Sequence, residues 1–76
     1  MEIEPSVDFS KEVVARLKRA RVERGWSQAK LAEVAGVSRT GVTMIESNKR
    51  NPTLVYCHVL ARALDLTLSD VIREVE

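Results

Sequence analysis

A short polar segment near the middle of the sequence begins at Ser38 and contains Arg39, Thr40 and Thr43. Serine is a common N-cap residue, so Ser38 predicts the start of a helix whose exposed first turn carries these polar side chains. A guanidinium can donate two hydrogen bonds to guanine O6 and N7, and a threonine can contact a thymine methyl group or form single hydrogen bonds. The segment therefore predicts contact with base edges of duplex DNA. A phosphate contact or simple solvation is the alternative for Arg39.

The residues that catalysis or metal binding would need are missing from the sequence. His58 is the only histidine, and there is no acidic pair at catalytic spacing, no phosphate-binding glycine loop and no cluster of metal ligands. Cys57 is the only cysteine, which excludes an intramolecular disulfide and favours a small buried hydrophobic residue over a redox sensor. We therefore expect no enzymatic activity, no cofactor and no bound metal.

Positive charge is concentrated in one part of the chain, although the formal net charge is only +1. Residues 11–50 contain ten lysines and arginines against four acidic residues, a net charge of +6, whereas residues 1–10 carry −3 and residues 51–76 carry −2. A confined positive field suits an anionic partner such as DNA. A solvated basic helix face is the alternative explanation.

The length and composition predict one soluble domain, spanning residues 1–76, with an N-terminal extension over 1–9 and a core over 10–73. No apolar segment approaches the roughly 20 residues that a membrane span needs. The first residues are acidic and lack the apolar stretch of a secretory signal. We expect a cytoplasmic protein associated with the nucleoid.

Caps and apolar periodicity predict an all-α fold with five helices and no strand. The first helix is expected to start near Ser10 and to end at Gly25. The other four have predicted N-caps at Ser27, Ser38, Thr53 and Ser69. Their apolar positions predict a core formed by Val13, Val14, Leu17, Ala20, Leu31, Ala32, Ala35, Val42, Ile45, Leu54, Cys57, Leu60, Ala61, Leu64, Val71 and Ile72. Gly36 is expected to form the tight turn that joins helices 2 and 3 into a helix-turn-helix.

The sequence resembles the phage repressor and Cro type helix-turn-helix family, also called Xre-like, over roughly residues 13–72. The resemblance includes the controller proteins of restriction-modification systems. The matching elements are Arg21, Ser27-Gln28, Leu31-Ala32, Gly36-Val37-Ser38, Val42, Ile45-Glu46, Asn51-Pro52-Thr53-Leu54, Leu60-Ala61 and Ala63-Leu64. This resemblance implies a compact five-helix, lambda-repressor-like DNA-binding domain. Its recognition helix, residues 38–47, would lie in the major groove.

The resemblance also assigns roles to further side chains. Base contacts are expected from Arg39, Thr40, Thr43 and Met44, although Met44 could instead be partly buried filler. Phosphate contacts are expected from Gln28, Ser38, Ser47, Lys49 and Arg50; Arg50 could instead reach a base edge, and Lys49 could be a mobile surface residue. Arg21 and Glu46 are expected to form an ion pair between helices 1 and 3.

Two residues depart from the usual family pattern or from helix propensity. Asn48 replaces the usual glycine at the end of the recognition helix, and asparagine is a residue that tolerates positive φ. Gly41 lies inside the same helix, where glycine lowers helix stability. It either lets the helix approach the sugar-phosphate backbone or is merely tolerated.

Apolar residues on the last two helices exceed what the core needs. Val55, Tyr56, Val59 and Val75 remain after the inward positions are assigned, and they predict the interface of a homodimer that binds a palindromic operator. Scattered surface apolarity is the alternative. The predicted function is a sequence-specific transcriptional regulator of double-stranded DNA. The rival is an antitoxin or interaction module that binds a partner protein and uses DNA binding for autoregulation.

Overall fold

The computed structural model describes residues 5–76, with side chains from residue 9 onward, and this part of the chain forms five α-helices and no strand. The helices are α1 (Pro5–Glu23), α2 (Gln28–Ala35), α3 (Arg39–Glu46), α4 (Leu54–Ala63) and α5 (Leu68–Val75). The predicted all-α, five-helix architecture is confirmed, with α2 and α3 forming the helix-turn-helix. None of the described helices is both long enough and apolar enough to cross a membrane.

Side-chain caps define the starts of the three middle helices, as the sequence predicts. The hydroxyl oxygens of Ser27, Ser38 and Thr53 each accept a hydrogen bond of 3.0 Å from the backbone N–H three residues later. Such a bond satisfies one of the N–H groups that have no acceptor within the helix. Gly36 ends α2 in the left-handed conformation, with φ 76°, a region that glycine enters without the steric cost of a Cβ atom.

Two helix starts differ from the prediction. Helix α1 begins at Pro5 rather than near Ser10, because proline is well suited to the first turn of a helix, where its missing N–H needs no acceptor. Residues 1–4 of the predicted extension lie outside the described residues. Helix α5 is capped by Thr67, whose hydroxyl accepts from the N–H of Asp70 at 3.1 Å, and not by Ser69, which lies inside the helix.

The core follows the predicted apolar periodicity with one clear error. The most deeply buried large side chains are Leu17, Leu31, Leu64, Val42 and Val71. Leu54 was expected to point inward, but it is 71% exposed. It is the first residue of α4. It lies with Phe9 and Leu68 at the rim of an open cleft rather than in the core, although it has the i, i+3 spacing to the buried Cys57.

Arg24 ties the end of α1 to the turn between α4 and α5. Its guanidinium donates to the carbonyl oxygen of Leu64 at 3.1 Å and to a carboxylate oxygen of Asp65 at 3.3 Å. The same group lies 4.6 Å from the centre of the Trp26 ring, a cation–π distance. Asp65 has a φ of 61°, a left-handed conformation that aspartate tolerates better than most residues. These contacts join the end of α1 to the turn between α4 and α5.

Candidate nucleic-acid interface

Helix α3 has a buried side and an exposed polar side. Val42 and Ile45 are 0% and 3% exposed and pack inward. Arg39, Thr40 and Thr43 lie on the exposed side, and Met44 is half-buried beside them. Among the described residues, Arg39 has no hydrogen-bond or ion-pair partner. The structure therefore presents the predicted base-contacting residues together at one surface.

Arg21 and Glu46 form the ion pair between helices 1 and 3 that the sequence predicts. Arg21 Nε lies 2.8 Å from Glu46 Oε2, and Arg21 Nη2 lies 2.9 Å from Glu46 Oε1. The side chains are 11% and 5% exposed, respectively. Arg21 Nη1 also donates to the carbonyl oxygen of Trp26 at 2.7 Å. A planar guanidinium that donates two parallel bonds to a carboxylate fixes the orientation of both groups.

Gln28 extends this ion pair to the exposed face of α3. Its Nε2 donates to Glu46 Oε1 at 2.9 Å, and its Oε1 accepts a hydrogen bond of 2.7 Å from the hydroxyl of Thr43. The carboxylate can only accept, so these two partners determine which end of the amide is the nitrogen. We call Arg21, Glu46, Gln28 and Thr43 the buried-to-surface network. It holds the hydroxyl of Thr43 in one direction and leaves the methyl group of Thr43 free to contact a base.

The sequence did not predict this role for Gln28. It was expected to contact a phosphate, because it lies at the start of α2, where the first backbone N–H groups have no acceptor within the helix. The amide uses one of its two N–H hydrogens on Glu46. Its other N–H hydrogen has no partner among the described residues, so the phosphate contact remains a prediction alongside the observed bridge.

The loop after α3 carries two exposed cations. Asn48 adopts a φ of 62°, as the sequence predicts for a residue in place of glycine. In this conformation the N–H of Lys49 donates to the carbonyl oxygen of Met44 at 2.9 Å, which closes the end of the helix. Ser38, Ser47, Lys49 and Arg50 are all exposed. Their common exposure next to α3 suits contacts to phosphate groups. The hydroxyl of Ser47 donates to the carbonyl oxygen of Met44 at 3.2 Å, so a phosphate contact from Ser47 requires that bond to break.

Tyr56 lies beneath the first turn of α3, a placement that the sequence did not indicate. It is half-buried against the core, with its ring next to Gly41. Burial raises the pKa of the Tyr56 phenol, and the nearby positive charge of Arg50 acts in the opposite direction. The phenol therefore stays protonated at neutral pH.

The four residues predicted for a dimer interface have different environments. Val55 is 70% exposed and Val59 is half-buried, whereas Tyr56 and Val75 are half-buried and pack against the core of the same chain. The exposed Leu54 lies next to Val55 and adds apolar surface, although the apolar periodicity predicts a core position for it.

Comparison with known proteins identifies the family. A small all-helical domain with a capped helix-turn-helix and an exposed polar recognition helix is a DNA-binding architecture. A family model described as "Helix-turn-helix" matches residues 17–71. The chain belongs to this helix-turn-helix family, which is the Xre-like family that its sequence resembles.

Individual relatives agree with this assignment. The chain is 39% identical over 56 residues to the HTH-type transcriptional regulator SutR of Escherichia coli strain K12, covering 74% of this chain and 32% of SutR. It is 37% identical over 59 residues to the immunity repressor protein of Bacillus phage phi105, covering 78% of this chain and 41% of the repressor. The chain thus spans less than half the length of these two relatives.

The fold is similar to that of a controller protein. The crystal structure of the wild-type restriction-modification controller protein C.Esp1396I superposes with a TM-score of 0.74 at 28% sequence identity, covering 87% of each chain. The similarity therefore extends over nearly the full length of both chains, which supports the five-helix fold.

Proposed function

We propose that this chain is a sequence-specific regulator of transcription that binds double-stranded DNA through α3. The observation that carries the proposal is the exposed polar face of α3, held in place by the buried-to-surface network. Recognition of base edges requires side chains that are free to bind and a backbone that is fixed. Arg39 supplies the free side chain, and the Arg21–Glu46 ion pair anchors the helix that carries it.

Each exposed residue of α3 has a distinct proposed role in the major groove. Arg39 donates two hydrogen bonds to a guanine, which would discriminate against a wrong base by about 1 to 3 kcal/mol. Thr40 and Thr43 contact thymine methyl groups or form single hydrogen bonds. Met44, which is half-buried, contributes apolar contact at the edge of the same surface.

Phosphate contacts on both sides of the groove would set the register of the protein on DNA. Gln28 and the start of α2 bind one strand, and Ser38, Ser47, Lys49 and Arg50 bind the flanking backbone. Phosphate contacts add affinity that depends on salt but carry no direct sequence information. The concentration of positive charge in residues 11–50 supports this assignment.

We further propose that the regulator acts as a homodimer on a palindromic operator. Val55 and Val59, together with the exposed Leu54, provide apolar surface on α4. Tyr56 and Val75 pack against the core of the same chain, so only their half-exposed parts could take part in the interface. Two-fold symmetry would place the two copies of α3 about 34 to 36 Å apart, one turn of B-DNA. Sedimentation that detects only monomer at tens of micromolar would contradict the dimer without affecting the DNA-binding proposal.

Selection of bound sites from a random oligonucleotide pool tests the function directly. We expect a palindrome whose half-sites lie about one helical turn apart. Arg39→Ala is compared with a matched control, Arg19→Ala. The control makes the same charge change at a side chain of α1 that is 62% exposed. Only the variant at position 39 should alter the selected sequence. A pool that yields no enriched sequence with wild-type protein would refute specific DNA binding.

A further inference from the structure

Gly41 occupies a position in α3 where a larger residue would collide with a neighbour. It is buried, and a Cβ atom built on its backbone would lie 2.9 Å from the hydroxyl oxygen of Tyr56 and 3.2 Å from the hydroxyl oxygen of Ser38. A carbon atom at 2.9 Å is closer than packed atoms allow, so one of the groups would have to move. The need for space explains why a residue with poor helix propensity stands inside the recognition helix.

The hydroxyl of Tyr56 makes no hydrogen bond that would explain its position. Its oxygen is buried and has no hydrogen-bond partner among the described residues. The side chain lies with Ile45, Pro52 and Thr53 around a small cleft of about 150 Å³ between α3 and α4. The contact that the described residues give this hydroxyl is steric, because it lies 2.9 Å from the place that a Cβ atom at position 41 would occupy. The distal end of the Tyr56 side chain lies against the turn of α3 that contains Ser38 and Gly41.

We propose that Tyr56 is a positioning residue for the recognition helix. Its phenol oxygen sets the distance between the first turn of α3 and helix α4, and the missing side chain of Gly41 provides the space for it. Arg39 and Thr40 belong to the same turn, so their height above the protein surface depends on this contact. The inference rests on the proposed function, because the positioning matters for DNA only if α3 enters the groove.

Four proteins test the proposal: wild type, Gly41→Ala, Tyr56→Phe and the double variant. Gly41→Ala should weaken specific operator binding about tenfold, which is within the effect of one misaligned base contact. Its non-specific DNA affinity should stay within about twofold of the wild-type value. Tyr56→Phe removes the nearer of the two oxygens that a Cβ atom would meet and leaves Ser38 Oγ, at 3.2 Å, in place. The double variant should therefore recover most of the lost affinity, to within about threefold of wild type. Helix propensity alone predicts the opposite for Gly41→Ala, since alanine favours helix more than glycine does.

The outcomes separate this inference from the proposed function. The role of Tyr56 would be overturned if Gly41→Ala bound the operator as tightly as the wild type does. It would also be overturned if the double variant bound the operator as weakly as Gly41→Ala. If Gly41→Ala does not fold, a folded double variant supports the contact and an unfolded one contradicts it. Backbone amide NMR shifts of Arg39 and Thr43, which do not adjoin the substituted residue, provide a measurement without DNA: they should move in Gly41→Ala and return towards the wild-type values in the double variant. Failure of the wild type to select any operator would refute the proposed function, and the NMR comparison would still decide the contact.

Discussion

The ion pair between Arg21 and Glu46 makes the strongest prediction about stability. Glu46→Gln keeps the shape of the side chain but removes its charge, which leaves a mostly buried guanidinium without a counter-ion. Removing one partner of a buried ion pair costs about 3 to 5 kcal/mol. The side-chain exposures of 11% and 5% and the bonds of 2.8 and 2.9 Å show that this pair is largely shielded from solvent, so the lower end of that range applies. For a domain of this size, a loss of about 3 kcal/mol corresponds to a fall in Tm of roughly 12 °C or more.

A double-mutant cycle with Arg21→Gln isolates the interaction between the two residues. Urea unfolding of the wild type, both single variants and the double variant should give a coupling energy of about 2 kcal/mol or more. The chain contains a matched control in Asp70 and Arg73, which are 2.7 Å apart but 55% and 71% exposed. Asp70→Asn with Arg73→Gln should give a coupling of about 0.2 to 1 kcal/mol, since exposed pairs contribute little. Equal coupling energies in the two cycles would refute the argument from burial.

Three further predictions concern the loop after α3 and the core of α4. Asn48→Ala should destabilise the fold by about 1 to 2 kcal/mol, because alanine is strained at a φ of 62°, whereas the short polar side chain of asparagine can hydrogen-bond locally in this conformation. Asn48→Gly should not destabilise the fold. Urea unfolding of both variants checks this, and equal stabilities of the two variants would contradict it. Lys49→Ala and Arg50→Ala should each reduce the slope of log affinity against log salt concentration by about one unit. Both variants should still select the wild-type operator sequence, and a changed operator sequence would instead assign a base contact to the substituted residue. Burial raises the pKa of the Cys57 thiol in the folded state, which favours its neutral form. The residue therefore contributes stability at pH values below the unfolded-state pKa. This stability is lost as the pH rises through the higher folded-state pKa. Iodoacetamide should therefore alkylate Cys57 at pH 8 only after denaturation, and rapid modification of the native protein would contradict its buried environment.

Features of the fold that depend on neighbouring residues in the sequence could be predicted well. Ser27 and Ser38 form the expected caps because a cap bond joins residues three positions apart. Gly36 forms the expected turn for a similar local reason. Thr67 and Ser69 show the limit of this approach, since both are good cap residues. The choice between them depends on the path of the chain through the preceding turn at Asp65.

Features of the site that depend on distant pairs could be predicted only in part. The pairing of Arg21 with Glu46 was expected from the family resemblance, and the structure contains it. The bridge from Gln28 to Thr43 and the contact between Tyr56 and Gly41 were not expected, because a single sequence does not show which side chains meet across two helices. The glycine inside the helix was the available signal, and in the sequence it allowed either a close approach to the sugar-phosphate backbone or plain tolerance.

The binding preference of Arg39→Ala tests the central claim most directly. Affinities of wild type and variant are measured at one salt concentration for the selected operator and for versions with each base pair changed in turn. If α3 recognises bases through Arg39, the wild type should favour one guanine by roughly 5- to 150-fold, equivalent to about 1 to 3 kcal/mol. The variant should lose discrimination at that position alone. An unchanged preference at every position would contradict the assignment of α3 as the recognition helix acting through this arginine.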